Sequence, residues 1–217
     1  MKLSKEVECI GLKRANAYLI HGSKNILIDT GLPFDRDELI LTIKNILGEN
    51  AHIDNILLTH HDVDHVGNLS AVQKIFGGKA YINELDLQYA LGKEKRPGIK
   101  HMIEKMIKPE ISGDIQTFSK YDGTDIKIIH MPGHTPGHTI FQYDKYLFTG
   151  DLFKIMDGHV VCMKKKMNCD NSQMADSINR LLEIDAKWIC PGHGECVLFD
   201  HALKEELKKA GETYARN

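Results

Sequence analysis

Thr59-His60-His61-Asp62-Val63-Asp64-His65 follows directly on an apolar run, Asn55 to Leu58. Three imidazoles and two carboxylates crowd into the positions from His60 to His65, a density of metal-binding groups that ordinary surface loops rarely reach. In a tight loop His60 and Asp62 can share one side while Asp64 and His65 diverge toward another, so the loop could feed two adjacent ions. Three further segments have the same texture: Pro132-Gly133-His134-Thr135-Pro136-Gly137-His138, Thr149-Gly150-Asp151 and Pro191-Gly192-His193-Gly194. Each follows an apolar run and sets a His or Asp among glycines, which permit positive φ and close backbone approach to an ion.

Outward from these motifs the chain reads as interleaved strands and helices. Strands are expected at Ala17 to Ile20, Ile26 to Ile28, Asn55 to Leu58 and Ala80 to Ile82, with helices at Arg36 to Leu47, Leu69 to Phe76 and Glu84 to Leu91. Gly92 to Pro109 is Lys-rich with a helical pattern, and residues 92–112 read as a lid or insertion whose Lys93, Lys95, Arg96 and Lys100 either meet an anionic substrate or face solvent. Beyond it, Ile115 to Phe118, Ile126 to His130, Thr139 to Tyr143 and Tyr146 to Thr149 read as consecutive strands turned by YDGTD and YDKY. Asn171 or Ser172 can cap a helix reaching Ile184, Trp188 to Cys190 is a last strand, and Asp200 can cap a terminal helix whose Lys208 and Lys209 suit its dipole.

Composition narrows the function classes. The chain has 217 residues, 42% of them hydrophobic, and 28 Lys+Arg stand against 30 Asp+Glu for a formal net charge of -2. That balance gives no global pull toward nucleic acid or an anionic membrane, so a small-molecule substrate is the expected partner; oligomeric state stays open. No apolar run is long enough to span a bilayer, no leader is evident, and five irregularly spaced cysteines suit a reducing compartment, so a cytoplasmic protein is expected. Those cysteines read as core residues, and Lys164-Lys165-Lys166 as a solvated face that could also bind a substrate anion.

The ordered motifs resemble those of the metallo-β-lactamase superfamily, whose pattern runs HxHxDH, a distant His, an Asp and a last His, all present here between Asp29 and His193. The resemblance implies an α/β fold, a four-layer αββα sandwich with metals at one edge of two sheets, in a single domain over residues 1–217. Carried over by position, His60, Asp62 and His134 would hold one metal, Asp64, His65 and His193 a second, and Asp151 would bridge both. Asp64 and Asp151 are carried as catalytic. Asp29, ending ILIDTG, is read as orienting a ligand or tying the loop, and His61 stays outside the coordination sphere; His130 and His138 flank a ligand loop.

One departure is Asp62, which makes the motif HxDxDH; its carboxylate moves preference from zinc toward iron or manganese without excluding zinc. Two divalent ions are implied, zinc first. The implied activity is that of a dinuclear metallo-hydrolase in which a metal-bridging hydroxide attacks an ester, thioester, lactone or phosphodiester. The alternative is an iron-containing redox protein of the same fold acting on oxygen or a sulfur substrate. Asp151 argues against a true β-lactamase. With about one helix after His193, a glutathione substrate of the glyoxalase II type is not expected.

Overall fold

A computed structural model describes residues 1–96, 100–107 and 114–216, with the side chains of residues 103–105 also left out. The chain divides into two compact units, the first running through residue 121 and the second from residue 122, each with its own sheet and helices.

The first unit contains β1 (Val7–Gly11), β2 (Asn16–His21), β3 (Asn25–Ile28), α1 (Arg36–Leu47), β4 (Asn55–Leu57), α2 (Val63–Val66), α3 (Leu69–Phe76), β5 (Lys79–Ile82), α4 (Glu84–Ala90), α5 (Lys100–Met106) and β6 (Ile115–Thr117). Its six strands lie in sequence order, β1 to β3 antiparallel and β3 to β6 parallel. Central strands of a parallel sheet are covered on both faces, which is why NIL of β4 is buried at every position. Leu27, Ile56 and Ala80 from the sheet join Leu39 and Ile43 of α1 and Val72 and Phe76 of α3 in one core. α1 and α3 occupy the ranges that their apolar spacing marks. β1 was not marked, because VECIG is too short and too mixed to stand out without its partner β2.

The second unit contains β7 (Lys127–His130), β8 (Thr139–Tyr143), β9 (Tyr146–Gly150), β10 (Lys154–Met156), β11 (His159–Val161), α6 (Asn171–Leu181), β12 (Trp188–Pro191), β13 (Val197–Leu198) and α7 (His201–Ala215). The five-stranded order is β13-β12-β9-β8-β7, antiparallel except for the parallel pair β9 and β12. β7, β9 and β12 therefore run in one direction and end at the same edge. Met174 and Ile178 of α6 and Leu203 and Leu207 of α7 pack with Leu147, Phe153 and Ile189 in the second core.

Three sequence expectations change. β6 joins β5 in parallel in the first sheet, so the YDGTD stretch leads from one sheet to the other instead of turning a hairpin. The cap of α6 is Asp170, whose side chain accepts from the Gln173 N–H; the helix stops at Leu181. Lys208 and Lys209 lie mid-helix because α7 continues to Ala215, although Asp200 caps it as expected. Of the 92–112 stretch, residues 97–99 and 108–112 lie outside the described residues. No helix among the described residues is long and apolar enough to cross a membrane.

The β10–β11 hairpin is tied to α7 by Glu206, which accepts from the Val160 N–H at 2.8 Å and pairs with His159 Nδ1 at 2.9 Å. The Glu206 hydrogen bond and charge raise the His159 pKa, and the Val160 N–H followed by His159 lowers that of Glu206. A raised histidine pKa contributes stability that is fully present below its unfolded value and is lost as pH rises through the folded one. In an NMR titration the His159 midpoint is expected to fall toward the ordinary histidine range in Glu206→Gln. Equal midpoints in both proteins would show that the pair does not form.

Candidate metal centre

In the first unit the site is assembled at the carboxyl ends of the parallel strands β3 and β4, where backbone groups stop pairing and loops can turn side chains inward. Asp29 follows β3, and Thr59 to Asp62 follow β4. Asp29 adopts φ 58°, a left-handed conformation that Asp tolerates better than most residues. From there its Oδ1 accepts the Thr59 N–H at 2.8 Å, while Oδ2 accepts the Thr59 hydroxyl at 2.7 Å and faces His65 Nδ1 at 2.8 Å. A carboxylate only accepts, so His65 carries its proton on Nδ1 and presents Nε2 as a lone pair. The Thr59 proton is spent on Asp29, so Thr59 Oγ1 accepts from His60 Nδ1 at 2.9 Å and leaves His60 in the same tautomer. Both rings are fully buried. Thr30 closes the loop, donating from its N–H and hydroxyl to the His65 carbonyl at 2.7 and 2.9 Å. Asp29 thus does what the sequence assigns to it: it orients a histidine and ties the loop.

Asp62 Oδ2 lies 3.5 Å from His60 Nε2. It also lies 2.7 Å from Lys100 Nζ at the start of α5. His61 turns away toward α4, with Nδ1 2.9 Å from Asp86 Oδ2 and its ring against Tyr89. Its carbonyl accepts two hydrogen bonds from Arg96, at 3.0 and 2.7 Å. Arg96 and Lys100 are 2% and 3% exposed. Burial replaces the solvated-helix expectation for these two cations, which contact residues 61 and 62. Lys93 and Lys95 are exposed. Asp64 and His65 are neighbours on α2, which Asp62 precedes at the N-cap position.

In the second unit three loops leave the same edge of the sheet. His134 follows β7, Asp151 follows β9 and His193 follows β12. Asp151 Oδ2 lies 3.1 Å from His193 Nε2 and 3.5 Å from His134 Nε2. His134 Nδ1 faces Asn168 Oδ1 at 3.0 Å, and the Asn168 amide nitrogen donates to Asn171 Oδ1 at 2.8 Å, which fixes the amide so that His134 must donate from Nδ1. His138 uses both ring nitrogens internally, Nδ1 to the Met131 carbonyl at 3.0 Å and Nε2 from the Asp151 N–H at 2.9 Å. It positions Asp151 and has no lone pair left for an ion. His130 Nε2 bonds the Pro136 carbonyl at 2.8 Å, bracing the loop.

Gly133 and Gly194 also make close approaches to protein backbone. A Cβ on Gly194, at φ 89°, would sit 1.7 Å from the Ile155 carbonyl oxygen, and one on Gly133 would sit 2.4 Å from the Met174 nitrogen. Gly194→Ala is therefore expected to cost about 2–4 kcal/mol through strain and overpacking. A denaturant midpoint equal to that of the wild type would show the β10 backbone can give way.

Cys162 is half-buried, and burial pushes its thiol up, which leaves it a poor nucleophile. Lys165 donates to the Arg216 carbonyl, so that member of the lysine run is spent on the end of α7.

His60, Asp62, Asp64 and His65 in the first unit, and His134, Asp151 and His193 in the second, are residues that could serve as ligands of a metal ion. The sequence pattern of the metallo-beta-lactamase superfamily matches residues 10–193. This chain belongs to the metallo-β-lactamase superfamily. A beta-lactamase-like protein 2 homolog of Drosophila melanogaster is 33% identical over 190 residues, 86% of this chain and 60% of the relative. The chain thus spans about three fifths of that relative's length. The probable metallo-hydrolase YybB of Bacillus subtilis is 26% identical over 196 residues, 86% and 83% of the two chains. A hydroxyacylglutathione hydrolase of Shewanella loihica is 31% identical over 146 residues, 65% and 48%. Among solved structures, the archaeal superfamily protein ST1585 of Sulfolobus tokodaii superposes with a TM-score of 0.73 at 19% identity over 97% of this chain and 86% of that one, which shows the fold. TTHA1623, solved in a di-iron-bound form, gives 0.68 at 26% identity over 88% and 93%. The α/β architecture of the metallo-β-lactamase fold expected from the motifs is the one present.

Proposed function

We propose that this superfamily member is a dinuclear metal-dependent hydrolase acting on an ester, thioester, lactone or phosphodiester. The observation that carries the reading is the shared tautomer of three superfamily-position histidines. His60, His65 and His134 each have Nδ1 committed to a protein acceptor, so each offers a buried Nε2 lone pair, the form a divalent ion requires. With Asp62, Asp64, Asp151 and His193 this donor set of nitrogen and carboxylate oxygen fits zinc, iron or manganese. On this reading His60, Asp62 and His134 would hold one ion, Asp64, His65 and His193 the other, and Asp151 would bridge them. Such ions, when bound, supply Lewis acidity toward a carbonyl or phosphoryl oxygen and an activated water.

The chain's own residues do the positioning. Asp29 and Asn168 hold imidazole rings in register, and His138 fixes the Asp151 backbone, so the ligand set needs little rearrangement when it acts. Relatives named as metallo-hydrolases and a hydroxyacylglutathione hydrolase support the reaction class and keep thioesters among the candidate substrates.

The second reading, an iron protein acting on oxygen or a sulfur substrate, is favoured by the carboxylate at Asp62 and by the di-iron form of TTHA1623. The test is to strip the protein with chelator, reload it with zinc, iron or manganese, and assay ester, thioester, lactone and phosphodiester panels. Hydrolysis that depends on metal supports the proposal. Equal turnover by the stripped protein, or none in any loaded form alongside metal-dependent oxygen consumption, would reject it.

A further inference from the structure

We propose that Lys100 competes with a metal ion for Asp62, so that the two metal sites fill unequally and the one served by His60 and Asp62 is the weaker. The inference rests on the metal-centre reading above. Its basis is the electrostatic environment of His65, His60 and Asp62 within the first unit. His65 is backed by a carboxylate, Asp29 Oδ2 at 2.8 Å from Nδ1, and an anion behind an imidazole raises its basicity toward a metal. His60 Nδ1 faces a neutral hydroxyl, Thr59 Oγ1 at 2.9 Å. Asp62 faces an ammonium: Lys100 Nζ lies 2.7 Å from Oδ2. That same oxygen is the one 3.5 Å from His60 Nε2, and hence the one placed to join His60 on an ion.

Lys100 is held there. It is 3% exposed at the first turn of α5, and four residues earlier Arg96, 2% exposed, is fastened by two hydrogen bonds to the His61 carbonyl. A buried ammonium cannot trade its carboxylate for water without a large desolvation cost. An ion taken up by His60 and Asp62 would therefore share Asp62 with Lys100 and sit within a few ångströms of its charge. Repulsion at that range in a poorly solvated site weakens binding by more than solvent-exposed charges could. The site served by His65 has the opposite bias. An HxDxDH motif thus brings a charge at position 62 that its own chain already occupies with a cation.

The experiment is metal uptake, with no activity readout. Chelator-stripped wild type, Lys100→Met and Lys100→Arg are equilibrated against buffered free zinc, and bound metal is counted by elemental analysis. Wild type is expected to fill one site well before the other. Lys100→Met should tighten the weaker site by about tenfold or more, whereas Lys100→Arg, which keeps the charge, should leave it weak. Lys100→Gln carries the same expectation if circular dichroism shows the Met variant unfolded. Two equal sites in wild type, or an unchanged gap in the uncharged variant, would overturn the inference while leaving the metal centre intact. No uptake by wild type at either site would instead overturn the metal-centre reading, and this inference with it.

Discussion

His193→Ala and His134→Ala are each expected to lose bound metal and to cut turnover by about three orders of magnitude or more, ~4 kcal/mol of transition-state stabilisation. Both proteins should remain folded, because the second unit's sheet and helices pack around Met174, Ile178, Ile189 and Leu207, well supplied with apolar burial of their own. The two variants should differ in stability. His134 is buried and fastened to Asn168, which in turn bonds Asn171 at the start of α6, so its loss strands a polar group and opens a cavity, adding about 1–3 kcal/mol. His193 is more exposed, and its neighbour Asp151 Oδ2 retains His134 nearby, so its loss should cost less. Elemental analysis, turnover, circular dichroism and denaturant midpoints on the same preparations check all four expectations. Full metal and full turnover in either variant would show that the assigned histidine is not a ligand.

Much of this was legible in the sequence because the superfamily motifs sit just beyond strand ends, and strand ends are marked by apolar runs such as Asn55 to Leu57 and Tyr146 to Gly150. Asp29 could be read as a supporting residue from its place after ILI alone. What escaped depends on contacts distant in the chain. In sequence Lys100 and Arg96 belong to a basic stretch that either meets substrate or faces solvent, and only the contacts of Lys100 with Asp62 and of Arg96 with the His61 carbonyl show them as buried partners. The β10–β11 hairpin has three-residue strands, too short for an alternation pattern, and is fixed by Glu206 from α7. β6 reads like the opening of a hairpin, and only its pairing with β5 assigns it to the first sheet.

Asp29 offers the sharpest separation between stability and metal binding. Asp29→Ala should cost about 3 kcal/mol or more, because the buried Thr59 N–H, the Thr59 hydroxyl and His65 Nδ1 all lose one acceptor at once. Alanine is also less at ease than aspartate at φ 58°. Asp29→Asn tells more. Its amide oxygen can still accept the Thr59 N–H, and Asn adopts the left-handed conformation readily, so the cost should be smaller than that of Asp29→Ala, about 1–2 kcal/mol. The amide nitrogen, however, would face both the Thr59 hydroxyl, which must turn its proton away from residue 29, and the Nδ1 proton of His65, donor against donor. His65 escapes that clash by moving its proton to Nε2, the nitrogen that would otherwise hold the ion. Metal affinity at the site His65 serves should then fall by about 10–100-fold, the range typical of losing a partner that orients a ligand. Denaturant midpoints and buffered-metal titrations separate the two effects, and nitrogen NMR of the metal-free proteins reads the tautomer directly. If Asp29→Asn keeps its metal affinity with His65 still protonated at Nδ1, the carboxylate is not what sets that ring.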